Sequence, residues 1–523
     1  MTTRLFFRRV WLAALVIAPS VAIAQSGPAP AAEPSGPAVG PPIQRITSAS
    51  AVSTERLGSI VNVRELPDGR VLVNDGARRR LLLMDTTLTT VGVVLDSLAE
   101  VSNTYGTRPG ALIPYRADST LFVDPASYAM VVLDPAGKIA RVRSVWRVED
   151  LFSVTSPGGS YGVPGVDAKG RVVYRIPARP PRLVVAPPSG VPYFPPEPDS
   201  AFVVAVDLST RTLDTLGVIR IPRSVTKIRQ NVEGRLVFDQ VINPLPSSDD
   251  WALLPDGTVA FVRARDYRID YLNPDGSRTS SAKLPFEWQR LTDEDKQRMV
   301  DSVRTMHQQM ATTEYVTEMV RWVNQYKRPY PAGFTVPEGY TPPPGFSKDW
   351  VLPTGIKLPP NYIHACPPGV EPTMTPAPGG AVMAAPPPGA AITAVPGPQG
   401  VGPRGMPSCI PAPTLISGGA TQPAPILRRV EVVPVSELPD YRPPIAAGGA
   451  VRADADGNLW IRSIPAKPIP GGPVYDIVSR KGELLSRLQL PPGYTLLGFG
   501  KERVVYLSMR DANGIHLARV RLR

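Results

Sequence analysis

Histidine, cysteine and long apolar runs are scarce in this chain of 523 residues. Only three histidines occur, His307, His364 and His516, so a three-histidine zinc site would need all of them to converge from separate elements. No stretch after the N-terminal segment is apolar and long enough to cross a membrane as a helix. The sequence therefore argues against a histidine-based zinc enzyme and against a membrane-spanning protein.

The two cysteines, Cys366 and Cys409, flank a proline-rich segment with almost no charge. In an exported protein a pair of cysteines favours a disulfide, and a mobile segment allows the two sulfurs to meet. Only His364 lies near either sulfur in the sequence, which disfavours a metal site there. We expect a Cys366–Cys409 disulfide and no bound metal.

The N-terminus has the pattern of a secretory signal. A region with three arginines leads into the short apolar run Val10–Ile17, and small residues at 22–24 suit cleavage after Ala24. The pair Arg8-Arg9 resembles a twin-arginine signal only weakly, so general secretion is favoured. We predict a periplasmic or secreted protein.

Basic residues exceed acidic ones, and the formal net charge is +12. Such an excess can mark a surface for nucleic acid or another polyanion. Here the basic residues are scattered among acidic ones along the chain, and an exported protein rarely meets nucleic acid. We therefore expect solvated strand faces and no nucleic-acid partner.

One phrase recurs at three places: LPDGTVAFV from Leu254, LPDGRVLVN from Leu66 and DADGNLWIR from Asp454. Asp-Gly supplies the positive φ of a tight turn, and the alternating apolar residues that follow suit a half-buried strand. Around these phrases the chain forms repeated units of four strands, about 45–50 residues apart where nothing is inserted. The six units span about 58–95, 108–146, 166–217, 249–286, 446–490 and the remaining stretch to residue 523.

Units of this spacing are typical of propeller blades, which cannot bury both faces alone and must stack around an axis. The sequence predicts an all-β fold, a six-bladed β-propeller with a helical and proline-rich insertion between blades 4 and 5. The segment Gln44–Ser48 is expected to complete the last blade against Ala518–Leu522 and to close the ring. The predicted domains are a signal peptide at 1–24, a disordered leader at 25–44, blades 1–4 at 45–286 with a loop insertion at 177–200, a cap at 287–444, and blades 5–6 at 445–523.

The repeated Pro-Asp-Gly phrase, followed by an apolar strand that ends in Asp-x-x-Gly, resembles the six-bladed β-propellers of the NHL and TolB-like type. The resemblance covers about 45–286 and 445–523, and it is carried by turns and strands rather than by a catalytic signature. The Asp-x-x-Asn-x-Arg loop of the NHL type has its nearest counterpart in NDGARRR at 74–80, and blades three to six lack it. The resemblance therefore implies the fold and leaves the activity open.

Two insertions interrupt the units, at 177–200 and at 287–444. In a four-stranded blade, the loop between the second and third strands and the connection to the next blade emerge on the same face. Both insertions are therefore predicted to cap one face of the propeller.

The larger insertion begins with a helical pattern. Thr292 is a suitable N-cap, and the apolar stripe that follows indicates one kinked helix or two short ones. The stripe either packs onto the domain below or offers an adaptable surface to a partner. The partner-binding residues on the second view are Met306 and Met310, with Trp350 in the extended proline-rich segment that follows.

Charged residues follow the second strand of five units: Asp75, Asp124, Arg175, Arg263 and Arg462. In the predicted register they ring the channel mouth on the cap side. Three interpretations stay open: an ion-pair collar that joins neighbouring blades, a site for an anion or a peptide, and a catalytic site. The three arginines argue against a cation, although Asp75 and Asp124 offer the oxygen ligands that calcium needs.

The leading hypothesis is an exported, monomeric and non-catalytic propeller that binds a protein partner or a small anionic ligand on its capped face, without a cofactor. The alternative is a metal-dependent hydrolase of the lactonase or esterase-like propeller class, with Ca²⁺ in the channel.

Overall fold

The computed structural model describes residues 40–98, 103–156, 159–177, 198–230, 236–326, 429–467, 469–512 and 514–522. The predicted signal peptide, nearly all of the leader, Trp350 and the Cys366–Cys409 disulfide lie outside these ranges. Within them, no helix is long and apolar enough to span a membrane.

Strands dominate the described residues and follow one another in a regular order. The first half contains β1 (Ile43–Arg45), β2 (Ala51–Val52), β3 (Ile60–Glu65), β4 (Val71–Asp75), β5 (Arg80–Met84), β6 (Thr90–Leu95), β7 (Ala111–Pro114), β8 (Thr120–Asp124), β9 (Ala129–Leu133), β10 (Ile139–Ser144), helix α1 (Leu151–Thr155), β11 (Gly165–Val166), β12 (Val172–Pro177), β13 (Ser200–Val206) and β14 (Leu213–Arg220). The second half contains β15 (Val225–Gln230), β16 (Leu236–Ile242), β17 (Asp250–Leu253), β18 (Val259–Arg263), β19 (Arg268–Leu272), β20 (Arg278–Ser280), helix α2 (Asp293–Tyr326), β21 (Glu431–Val432), β22 (Val451–Ala453), β23 (Leu459–Ser463), β24 (Val474–Val478), β25 (Leu484–Gln489), β26 (Tyr494–Phe499), β27 (Val504–Asp511) and β28 (Gly514–Arg521).

In the part of the chain that the structure describes, these strands form six blade sheets and one smaller sheet. Blades 1 to 6 have the strand orders β3-β4-β5-β6, β7-β8-β9-β10, β11-β12-β13-β14, β17-β18-β19-β20, β22-β23-β24-β25 and β26-β27-β28-β2. Neighbouring strands within each of these orders run antiparallel, so each blade is a simple up-and-down sheet.

The recurring Asp-Gly phrase forms the same turn in three blades. Gly69, Gly257 and Gly457 have φ values of 84°, 88° and 83°. Each donates its N–H to the carbonyl oxygen three residues earlier, at 3.0, 2.9 and 3.2 Å. A residue with a β-carbon would pay about 1–2 kcal/mol for this left-handed conformation, which explains why glycine recurs there.

A separate apolar cluster fills each of the six junctions between neighbouring blades, so the blades close into a ring. At the junction of blades 6 and 1, for example, Leu497 packs in one cluster with Val71 and Val73. Successive side chains of a strand point to opposite faces, so one blade serves two junctions: Val172 faces blade 2 and Val173 faces blade 4. The prediction of an all-β propeller is confirmed.

The ring is closed by a different N-terminal segment from the predicted one. β2 completes blade 6 by pairing with β28, with Ala51 opposite Arg519. Of the predicted segment Gln44–Ser48, the first two residues belong to β1, which runs parallel to β25 and adds a fifth strand to blade 5. A two-residue strand has no alternating pattern, so the sequence could not identify β2 as the closing strand.

The hairpin β15–β16, helix α2 and strand β21 lie in the connections between blades, so they emerge on one face, which we call the insertion face. The opposite face, with the turns between first and second strands, is the turn face. β15, β16 and β21 form the smaller sheet, in which β21 runs parallel to β16. One apolar cluster joins the hairpin connection, α2 and the β21 segment: Leu245, Leu291, Val300, Val433 and Leu438. The hairpin is absent from the sequence prediction.

Helix α2 is one continuous helix, which decides between the two predicted alternatives. Its start is the predicted cap: the Thr292 N–H donates to the Asp295 carboxylate at 3.0 Å, and the Asp295 N–H donates to the Thr292 hydroxyl at 3.1 Å. Lys296 then pairs with Asp440 at 2.8 Å, which links the helix to the chain that returns to blade 5.

Candidate functional site

A central cavity of about 850 Å³ lies at the middle of the propeller. The inner strands β3, β7, β11, β17, β22 and β26 line it, together with the turns that follow them in all six blades. Because those turns lie on the turn face, the cavity opens there. The ligand site was predicted on the capped face, whereas this cavity opens on the side opposite the insertions.

A short segment at residues 159–164, which we call the floor segment, lines the inner end of the cavity. It leads into β11 and is anchored by Trp251, whose indole N–H donates to the Tyr161 carbonyl oxygen at 2.9 Å. Gly162 has a φ of +85°, and a β-carbon there would lie 2.4 Å from the Trp251 Nε1 atom. Only glycine fits this close approach, so the sequence fixes the floor segment against the inner end of blade 4.

Two arginines line the cavity from equivalent positions in blades 1 and 5, Arg64 and Arg452. The Arg64 guanidinium makes no hydrogen bond or ion pair with any described residue, and its Nε atom is buried. Burial lowers the pKa of Arg64, against the opposite effect of the charges on Asp118 and Glu65. Arg452 donates to the Leu497 carbonyl oxygen at 3.1 Å, and burial lowers its pKa as well.

The acidic residues of the cavity mostly have donors already. Glu65 accepts a backbone amide of blade 6 at 2.9 Å and a tyrosine hydroxyl at 2.6 Å. Asp167 pairs with Arg171 at 2.8 Å, and Asp454 accepts two amides of its own turn at 3.0 and 2.8 Å. Asp118 is exposed at the mouth. Three of the four acidic side chains in the lining therefore already accept hydrogen bonds from the protein.

Asp250 and Arg175 are buried outside the cavity lining. Asp250 accepts the backbone N–H groups of Ala450 and Val451, and burial raises the pKa of this carboxyl to about 6. Arg175 is 7% exposed, and its guanidinium carbon lies 4.7 Å from the centre of the Tyr161 ring. No described residue accepts a hydrogen bond from the Arg175 guanidinium, and burial lowers its pKa, against the opposite effect of the Asp250 charge.

The other four residues of the predicted collar have different surroundings. The Asp75 carboxylate accepts two backbone amides at 3.0 Å, and Asp124 accepts a backbone amide at 2.9 Å and a serine hydroxyl at 2.6 Å. Arg263 bridges two aspartates at 3.1 and 2.8 Å, whereas Arg462 is exposed. None of the five collar residues lines the cavity, and no hydrogen bond or ion pair joins any two of them among the residues described.

Two of the three residues predicted for partner binding are exposed, and the third lies outside the described residues. Met306 and Met310 are 50% and 60% exposed, whereas apolar residues before and after them on α2 are buried. The ends of the stripe thus pack as the first alternative expects, and its middle faces solvent, where partner binding stays a prediction. Trp350 lies outside the residues that the structure describes.

The sequence from 158 to 162, Gly-Gly-Ser-Tyr-Gly, matches the Gly-x-Ser-x-Gly pattern of serine hydrolases. In those enzymes the serine lies on a turn between a strand and a helix, whereas this string follows α1 and precedes β11. The cavity lining contains no histidine, and His516 lies at the blade 6 closure, with its Nδ1 2.9 Å from the Ser53 carbonyl oxygen. Across the described ranges, no group of three or more His, Cys, Asp or Glu residues is arranged to hold a metal.

The cavity arginines were not predicted from the sequence, although a signal for them exists. Arg64 and Arg452 each stand two residues before the first residue of the recurring turn phrase, at Leu66 and Asp454. Alignment of the repeats on that phrase places the two arginines at the same level of the ring.

No family model matches this chain, and no curated protein matches it. Among solved structures, a gluconolactonase from Xanthomonas campestris is 12% identical, covers 93% of this chain and 98% of its own, and has a TM-score of 0.29. A virginiamycin B lyase from Staphylococcus aureus is 8% identical over 45% of this chain and 73% of its own, with a TM-score of 0.23. A chain of a nidogen/laminin complex is 10% identical over 43% of this chain and 65% of its own, with a TM-score of 0.24. Scores this low carry no argument, and the propeller assignment depends on the sheets and junctions of this chain.

Proposed function

We propose that this protein is an exported, non-catalytic binding propeller that holds a small ligand in its central cavity. One observation carries the proposal, namely the cavity of about 850 Å³ with a lining from all six blades. This volume lies within the range of about 300–1,000 Å³ that is usual for small-molecule sites. The lining strands belong to a closed ring, so the site is preorganised before the ligand arrives. The secretory pattern of the N-terminus supports export.

The carboxylates of Asp75, Glu65 and Asp167 already accept hydrogen bonds from the protein, which supports binding rather than catalysis. The Asp75 carboxylate, which the hydrolase alternative would use for calcium, is occupied by backbone amides at 3.0 Å. In the cavity, Glu65 accepts a backbone amide and a tyrosine hydroxyl, and Asp167 pairs with Arg171. A general base or a hard-cation ligand needs a carboxylate oxygen that is free to reach the substrate or the ion.

Thermal unfolding of the mature chain with a library of small metabolites tests this proposal, because a ligand that binds only the folded state raises the Tm. Val163→Trp should abolish the shift, since Val163 lines the cavity and is 38% exposed in it. Val148→Trp is the matched control, since Val148 is 53% exposed and does not line the cavity. No stabilising compound, or a full shift in Val163→Trp, would refute the proposal.

The insertion face is a candidate for a second function, the binding of a protein partner. The observation that favours it is the exposure of Met306 and Met310, at 50% and 60%, on a helix whose apolar residues Val300, Val316, Met319 and Val320 are buried. Cross-linking pull-downs from the cell envelope should capture a discrete protein with the wild type and lose it with Met306→Ser/Met310→Ser. Replacement of 287–444 by a short linker should have the same effect, and retained capture would exclude this face.

A further inference from the structure

The chemical class of the cavity ligand follows from the residues that line one level of the ring. We infer that the ligand is a small anion, with a carboxylate or phosphate group that accepts hydrogen bonds from Arg64 and Arg452. This inference rests on the proposed function, because it concerns the same cavity.

Arg64 and Arg452 occupy the same position in their blades. The carbonyl oxygen that accepts the turn hydrogen bond belongs to Leu66 in blade 1 and to Asp454 in blade 5. In both blades the arginine lies two residues before that residue. Their strands run in the same direction relative to the axis, since both are the first strands of their blades. The Cα atoms of the two arginines therefore lie at the same level along the axis of the ring.

Three of the other blades place smaller side chains at this level, whereas blade 2 has the buried Ile113, which is not part of the cavity lining. The equivalent positions hold Gly165 in blade 3, Ala252 in blade 4 and Gly498 in blade 6, and all three line the cavity. A β-carbon on Gly498 would meet a Val63 methyl group at 3.2 Å, and one on Gly165 would meet Leu253 at 2.8 Å. Glycine at two of these positions lets the neighbouring strands approach, and the short Ala252 side chain lies in blade 4, opposite the blade that carries Arg64.

Of the two arginines, Arg64 gives the stronger evidence for an anionic ligand. A guanidinium has five N–H donors, and those of Arg64 have no acceptor among the described residues although Nε is buried. Asp118 and Glu65 are close enough to favour its charge, but neither makes an ion pair with it. A carboxylate or a phosphate presents two oxygen atoms in the geometry of the guanidinium fork.

The remaining charges of the cavity favour the same class of ligand. The basic residues of the lining outnumber the acidic ones: Arg64, Arg116, Lys169, Arg452 and Lys501 against Glu65, Asp118, Asp167 and Asp454. The carboxylates of Glu65, Asp167 and Asp454 already accept protein donors. Lys169 and Lys501 are exposed at the mouth, where their positive charge attracts anions into the cavity.

Isothermal titration calorimetry of the mature chain with succinate, inorganic phosphate and the neutral isostere succinamide tests the inference. We expect one molar equivalent of succinate or phosphate to bind and succinamide not to bind. Arg64→Gln should weaken anion binding by about tenfold or more, because a hydrogen bond to a charged group contributes about 1.5–3 kcal/mol. Arg452→Gln should have a similar effect.

Arg141→Gln is the matched control, because it removes the same charge from an exposed position on the outer strand of blade 2 and should leave Kd unchanged. Arg452→Gln also removes the hydrogen bond to the Leu497 carbonyl oxygen, so circular dichroism must establish that it folds. Arg64→Gln breaks no hydrogen bond within the described structure, so the result for this variant decides the inference.

The outcomes separate this inference from the proposed function. Equal binding of succinate and succinamide, or an unchanged Kd in Arg64→Gln, overturns the anion inference and leaves ligand binding in the cavity intact. Stabilisation by neutral library compounds alone, without binding of either anion, also overturns it. The absence of any ligand in the library and in the titrations overturns both.

Discussion

At the scale of single residues, the aspartates of this protein differ in what their carboxylates accept. Asp75 and Asp124 end the second strands of their blades and accept donors from neighbouring loops. Asp250 begins the first strand of blade 4 and accepts amides of blade 5. The first two stabilise loops, whereas Asp250 joins two blades. Burial raises the pKa of the Asp250 carboxyl to about 6.

Replacement of Asp75 by alanine leaves the amides of Gly58 and Ser59 without their acceptor. A hydrogen bond to a charged group contributes about 1.5–3 kcal/mol and the Asp75 carboxylate is fully buried, so Asp75→Ala should lower the free energy of unfolding by about 2 kcal/mol or more. Denaturant unfolding measures the loss, and Asp68→Ala, in an exposed turn, should cost less than half as much.

Elemental analysis tests the hydrolase alternative in the same samples, because stoichiometric calcium that disappears in Asp75→Ala would support that alternative instead.

Asp250 should make the stability of the protein depend on pH. Burial raises its pKa from 3.8 to about 6, so the folded state holds the proton more tightly than the unfolded state. The resulting stabilisation is complete below pH 3.8 and is lost as the pH rises through about 6. The shift corresponds to roughly 3 kcal/mol, at about 1.36 kcal/mol for each pKa unit.

Asp250→Asn should flatten that part of the profile, because an amide still accepts a backbone N–H group and does not titrate. Urea unfolding at a series of pH values compares the variant with the wild type and with Asp456→Asn, which removes an exposed carboxylate. Parallel profiles for the wild type and Asp250→Asn would show that this carboxyl is not the source of the dependence.

Sequence position alone identified the charged residues at the strand ends but not their roles. The amides that Asp75 accepts lie 17 and 16 residues earlier in the chain, in a loop without a recognisable pattern. The Arg175 guanidinium lies against the ring of Tyr161, which belongs to the connection between α1 and β11. Such partners come together because the chain folds into a ring, and the spacing of residues along the sequence does not indicate them. The sequence therefore left ion pairing, anion binding and catalysis all open.

At the scale of elements, local patterns predicted those structures whose stability is local. The Asp-Gly turns and the alternating strands beside them follow from backbone sterics and burial within a single blade. The cap of α2 follows from Thr292 and Asp295 in the same way. The hairpin β15–β16 and the two-residue strand β2 depend on contacts with distant segments, and the sequence prediction missed both.

The floor segment depends on a single glycine. Gly162→Ala combines a φ of +85° with a β-carbon 2.4 Å from the Trp251 indole, so the segment must shift and the Trp251 hydrogen bond must break. Gly276→Ala is the matched control, because Gly276 has a φ of +89° and open space around its β-carbon position. We expect the control to cost about 1–2 kcal/mol of stability and Gly162→Ala to cost at least about 1 kcal/mol more. Tryptophan fluorescence should change only in Gly162→Ala, and equal losses in the two variants would show that the contact with Trp251 is unimportant.

At the scale of the whole molecule, the six junctions between blades connect the ring, and β2 completes blade 6 by pairing with β28. We expect the ring to unfold cooperatively. Removal of residues 40–54 deletes the outer strand of blade 6, several backbone hydrogen bonds to β28 and the buried Ile46 side chain. We expect a loss of at least about 4 kcal/mol, from about 1 kcal/mol for each hydrogen bond and about 1.5–3 kcal/mol for a buried aliphatic side chain. Thermal unfolding compares this chain with one that begins at Gly40, and a peptide of residues 40–54 added in trans should restore part of the lost Tm. Equal Tm values for the two chains would contradict the closure.

The pairing of β2 with β28 also fixes the order of events during synthesis. The Ser53 hydroxyl accepts the Leu517 N–H across 464 residues, so this contact cannot form until nearly all of the blades have been made. The first strands must wait as an unpaired edge while the later blades emerge, and contacts of such long range slow folding. A chain cut short before β28 can never cover that edge, which leaves it open to proteases. The closing strand thus acts as a check on completeness, because only a chain that extends through the last blade acquires the resistance of the finished ring.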